Sequence, residues 1–160
     1  MKFLSMLALI VATSLTPSCA MLTQPQTPVT TITNAETIAR ATLQNAQIGW
    51  LFVVPLITVS HPDKVQDLTT KYYAAVQKAS DALDTLDKVK ASLASGVTVT
   101  IDLNTALKAE SLAIVEVMNV IAEAKAASSK MKATVNGHVL GVPGYDNALA
   151  GSDQLRAMVK

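Results

Sequence analysis

The residues able to do chemistry in this chain are few and scattered. There are two histidines, His61 and His138, and one cysteine, Cys19. A zinc site needs three or four ligands, and two isolated histidines would have to recruit carboxylates from distant segments. No metal and no cofactor is therefore expected. Glu110, Glu116 and Glu123 lie in one helical stretch, and Glu116 and Glu123, seven apart, share a face. No Glu-x-x-His pair accompanies them, so a solvated polar face is the expected reading, not a di-iron centre. Serine, aspartate and histidine all occur, but without a Gly-x-Ser-x-Gly elbow. Ser128-Ser129-Lys130 is not a Ser-x-x-Lys arrangement. Gly137, Gly141 and Gly144 lack the lysine and the strand-turn-helix setting of a phosphate loop, and read as turn residues. No catalytic residues are assigned, and no enzyme activity is expected.

Cys19 has a context. Lys2 supplies a short positive start, Phe3 to Leu15 an apolar run, and Pro17-Ser18-Cys19-Ala20 a zone of small residues, together the pattern of an export signal over residues 1–20. Leu15-Thr16-Pro17-Ser18-Cys19 resembles the lipobox of bacterial lipoproteins. Its apolar Leu15 stands one place further back than such motifs usually put it. The resemblance implies that Cys19 is acylated, palmitate among the acyl groups, and becomes the mature N-terminus in the cell envelope, membrane-anchored and facing the periplasm or the cell surface. The other processing route is ordinary cleavage after Ala20, with Ser18 and Ala20 as the small pair. Along either route no free thiol remains, so the mature fold has no intramolecular disulfide and is held by burial.

Without Lys2 the mature side chains balance near zero net charge. That leaves no field to steer a nucleic acid, and none is expected as a partner. The aromatic residues are only Phe3, Trp50, Phe52, Tyr72, Tyr73 and Tyr145, with alanine, leucine and valine carrying the apolar content. That profile favours helices over strands.

Residues 21–32, with Pro25, Pro28 and a scatter of threonines, read as a flexible tether. Thr33-Asn34-Ala35-Glu36 fits a capping box, so a first helix is expected from Thr33, with a kink or break near Pro55 and an end around Ser60. Ser60-His61-Pro62-Asp63 opens a second helix with Ser60 as its cap. Val65, Leu68, Tyr72, Val76, Ala79, Leu83, Leu86 and Leu93 then form one apolar stripe that ends at Gly96. Val97 to Ile101 is an extended connection. Asp102 or Asn104 caps a third helix running to about Lys132, with Leu107, Ile114, Met118 and Ile121 on one stripe and Leu112 beside it. Residues 135–160 are a loop-rich tail with a short helix, which Asp146 would cap. The expected fold class is all-α: an antiparallel three-helix bundle over 33–134, a long helical hairpin plus an N-terminal helix, with the short C-terminal helix added.

Residues 41–60 contain no charged side chain, and Ile48 to Ile57 is the most hydrophobic run outside the signal. As a buried first helix it would place Trp50 as a packing anchor. As a docking surface it would offer Trp50 and Phe52 to a partner or a bilayer. The leading expectation is an exported, lipid-anchored binding or structural module that meets the membrane through Cys19 and partners an envelope protein or another copy of itself. The rival is a membrane-active protein, a pore former or lysis factor, that inserts residues 41–60.

Overall fold

Threonine followed by proline starts the first helix. In a computed structural model, which describes residues 27–97, 101–128, 134–135, 138–139 and 141–159, α1 runs over Pro28–Ser60. The Thr30 N–H donates to Thr27 Oγ1 at 3.2 Å, and Pro28 opens the first turn, where its missing N–H would have had no helical partner. The expected start at Thr33 is thus five residues late, and the last part of the expected tether, 28–32, is helix, with Ile32 fully buried. The Thr33 hydroxyl instead donates back to the Val29 carbonyl at 3.0 Å, a mid-helix bond rather than a cap. Residues 21–26 of the expected tether, and the expected signal over 1–20 with Cys19, lie outside the described residues.

The helix continues through Pro55 to Ser60. Pro55 is exposed, so the helical bond it removes lies on the solvent side, where water can serve the Leu51 carbonyl. Ser60 belongs to α1 and donates to the Leu56 carbonyl at 2.8 Å. His61 is the one residue between α1 and α2, which spans Pro62–Ser95 with Pro62 in its first turn. Because proline takes that position, the cap falls on His61 and not on the expected Ser60. Gly96, at φ 69°, ends α2 in the left-handed region that glycine enters without strain.

α3 covers Leu103–Ser128, and the Thr105 N–H donates to Asp102 Oδ2 at 3.2 Å. Asp102 is therefore the cap of the two expected. Asp102→Ala should cost about 1 kcal/mol in a chemical denaturation experiment, the usual worth of an N-cap. The final residues expected in this helix, 129–132, lie outside the described set. Leu112, expected beside the apolar stripe, is 60 % exposed. A two-residue antiparallel pairing, Thr134 with Val139 and Val135 with His138, follows. α4 covers Tyr145–Met158; its cap is Gly144, with Asp146 inside the first turn instead of before it.

Side-chain pairs fix the directions. Glu36 with Lys90, Arg40 with Asp87 and Trp50 with Tyr72 run α1 and α2 antiparallel. Lys71 with Glu123 and Lys78 with Glu116 do the same for α2 and α3. α1 and α3 pack on each other in the middle of the bundle. α2 lies across one side of that pair and α4 across the other, and α2 and α4 do not meet. The all-α bundle with a short C-terminal helix is as expected. α2 buries Leu68, Tyr72, Ala79, Leu83 and Leu86 of its expected stripe, with Val65, Val76 and Leu93 partly buried against the same core. α3 buries Leu107, Ile114, Val117, Met118 and Ile121.

Small residues bring α4 close. A Cβ on Gly151 would overlap Thr42 Oγ1, and one on Gly144 would overlap the Asn45 carbonyl oxygen. Lys125 on α3 places its ammonium 4.3 Å from the centre of the Tyr145 ring and ties the end of α3 to the start of α4.

Candidate interaction groove

The antiparallel α1–α2 hairpin opens a groove along its outer side. Its α1 wall is Arg40, Leu43, Gln44, Gln47, Trp50 and Leu51, and its α2 wall is Tyr72, Tyr73, Val76, Ser80 and Leu83, enclosing about 490 Å³. The spacing explains the walls. Positions 40, 44, 47 and 51 follow one helical face, as do 72, 76, 80 and 83.

At its floor Trp50 and Tyr72 stack with ring centres 4.3 Å apart and planes 5° from parallel. Tyr73 meets Tyr72 edge-on at 5.6 Å and is 63 % exposed. Burial raises the Tyr72 phenol to about 12. Trp50 is only 4 % exposed and lines the floor, which matches the packing anchor expected of a buried first helix rather than a protruding docking side chain. Phe52 is half-buried against the core and does not line the groove. The large apolar and aromatic side chains that reach out from its lining are Leu51 and Tyr73, 65 % and 63 % exposed, beside the exposed polar Arg40, Gln44, Gln47 and Ser80.

One end of the groove is charged. Arg40 pairs with Asp87 at 3.1 Å, and one helical turn away Lys90 pairs with Glu36, which is almost wholly buried. Burial pushes the Glu36 carboxyl above its ordinary value, against the opposing pull of Lys90. Glu36 was expected to cap a helix; it crosses to α2 instead.

The three glutamates of α3 separate. Glu116 and Glu123 face solvent and reach Lys78 and Lys71 at 2.6 and 3.3 Å, the polar face expected of them. Pairs this exposed contribute little. Glu110 is different: it is fully buried, and neither carboxylate oxygen has a hydrogen-bond partner. Its carboxyl is pushed up to about 8 by burial, with Arg40 pulling the other way. A signal for this was present, since Glu110 stands three after Leu107 and four before Ile114, on the apolar stripe itself. A carboxyl held near neutrality suits acid–base work, but this one is sealed from solvent, and no substrate reaches it in this packing.

His61 sits at the α1–α2 joint with a buried Nδ1 that has no partner. His138 lies in the short pairing after α3, far along the chain from His61. Among the described residues no three histidine, cysteine, aspartate or glutamate side chains gather into a possible metal site. Gly144, from the glycine cluster, serves as the left-handed cap of α4 at φ 76°. The chain matches no protein-family model, no curated protein and no solved structure.

Proposed function

We propose that this chain is an exported, lipid-anchored protein of the bacterial cell envelope whose helical bundle acts as a binding or structural module without catalysis. The observation that carries this reading is the position of the first helix. α1 begins at Pro28 with its cap at Thr27, and residues 20–27 separate it from Cys19. Removal of the signal and acylation of Cys19 would leave every buried contact described above in place. The domain would sit on a short spacer, with the α2 side of the α1–α2 groove, around Tyr73, as the surface for an envelope partner or a second copy.

Insertion of residues 41–60 is the weaker reading. α1 is long and apolar enough to cross a bilayer by length and composition. Its Trp50, Val53 and Ile57, however, are buried in the bundle core, and spanning would strip them from α2, α3 and α4.

Metabolic labelling with palmitate in the native host tests the anchor. Wild-type protein is expected to incorporate label and fractionate with membranes. Cys19→Ser is expected to lose the label and accumulate as unprocessed precursor. Label retained by Cys19→Ser, or wild-type protein found unlabelled in the soluble periplasm, would refute the anchor.

A further inference from the structure

Ile48, Leu51, Pro55 and Val59 recur at steps of three and four, so they follow one line along the outside of α1. Ile48, Leu51 and Val59 are 45 %, 65 % and 70 % exposed. Single exposed hydrophobics are ordinary; an aligned row of them is not. The row lies within residues 41–60, which hold no Asp, Glu, Lys or Arg, and at 1.5 Å per residue that neutral strip is about 30 Å long. The outer face of α2 is the opposite, with Asp67, Lys71, Lys78, Asp81, Asp84 and Lys88.

Chain length says what would cover the strip. Eight residues, 20–27, join Cys19 to α1, and fully extended they reach about 30 Å, less than the roughly 50 Å of α1 itself. A domain held that closely must turn some face to the bilayer. The inner side of α1 is taken by α2, α3 and α4, and the outer face of α2 would have to desolvate charges to lie against lipid. The α1 strip can do so without burying an ion.

We infer that the outer strip of α1, from Ile48 to Val59, rests on the surface of the bilayer that holds the acyl anchor, with Leu51 as its deepest side chain. The inference rests on the lipoprotein reading. The contact lies in the membrane plane and needs no unpacking of the bundle. Because the strip carries no cation, the contact requires no anionic lipid and resists salt. It adds a second membrane attachment to the acyl chain and fixes which way the domain faces.

The test uses the acylated mature protein in phosphatidylcholine vesicles, with an environment-sensitive fluorophore on Leu51→Cys or, as control, on Asp84→Cys. Position 51 is expected to lose quenching by aqueous iodide and to gain quenching by bilayer nitroxides, unchanged in high salt, while position 84 stays open to iodide. Iodide access at 51 equal to that at 84 would overturn the inference. So would shielding at 51 that comes with energy transfer between labelled copies, because the strip would then be a self-association surface. The intact mass of the same preparation reports the anchor separately. An acylated chain with a wet position 51 removes the strip alone. If the chain carries no acyl group, the anchor fails, and the strip is decided by whether unacylated full-length mature protein mixed with the same vesicles still shields position 51.

Discussion

Glu110→Gln is expected to stabilise the bundle by about 3 kcal/mol at pH 7 in urea denaturation, and to remove much of the pH dependence of stability. The native carboxyl has both oxygens buried without partners and ionises at about 8, against 4.5 for an ordinary glutamate. Below pH 4.5 it is protonated in the folded and the unfolded chain, and no penalty arises. Between 4.5 and 8 the unfolded chain releases the proton and the folded chain keeps it. Stability then falls by about 1.4 kcal/mol per pH unit from this one group, and the loss is complete above pH 8. Glutamine has nearly the same shape and stays neutral, so its advantage should vanish near pH 4 and grow steadily toward pH 8. An advantage independent of pH would mean that Glu110 is already ionised when folded, held by Arg40. Glu110→Met should gain further, because it also removes the unpartnered polar atoms.

Gly144→Ala is expected to cost about 2–3 kcal/mol and to loosen α4 before the rest of the bundle. Two terms add: the left-handed φ of 76° disfavours any side chain, and the new methyl would overlap the Asn45 carbonyl oxygen, a backbone atom that cannot swing aside. Hydrogen exchange should show α4 amides opening while the α2 amides around Leu86 stay protected. Gly151→Ala tests the same contact from a position with no backbone strain. Its methyl meets the Thr42 hydroxyl, which is held against the Ile38 carbonyl at 2.7 Å in a buried position. Thr42→Ala should therefore rescue Gly151→Ala, and a double-mutant cycle should show coupling of about 1 kcal/mol or more. Two additive effects would mean that α4 does not dock on α1 as described.

Much of the bundle was readable from spacing alone. The α2 stripe from Val65 to Leu93 is regular, Pro62 marks its first turn and Gly96 its end, and all three lie where expected. What misled were residues with two local meanings. Pro28 reads as a linker residue until it is seen as the opening position of a helix with Thr27 before it. Thr33 and Glu36 have capping-box spacing, but tertiary packing draws Glu36 to Lys90 and buries it. Glycine ahead of Tyr145 caps α4 because the close approach to Asn45 excludes a side chain, a constraint that exists only once α1 is in place.

The candidate groove was less legible. Trp50 stood out as the chain's one tryptophan, but whether it would be wall or floor depended on which α2 residue it met, and Tyr72 covers it. Tyr73 carries no spacing that marks it, and Leu51 falls in a row with Ile48, Pro55 and Val59 whose exposure depends on which side of α1 the bundle covers. The place of Glu110 on the apolar stripe of α3 is visible from spacing, whereas its residue type alone sets it beside the solvated Glu116 and Glu123.

The proposed envelope role stands or falls with acylation of Cys19, and the intact mass of the mature protein, extracted from the membranes of its native host, decides it. A chain beginning at Cys19 and bearing acyl groups is the expected result. A chain beginning at Met21 with no lipid would contradict it.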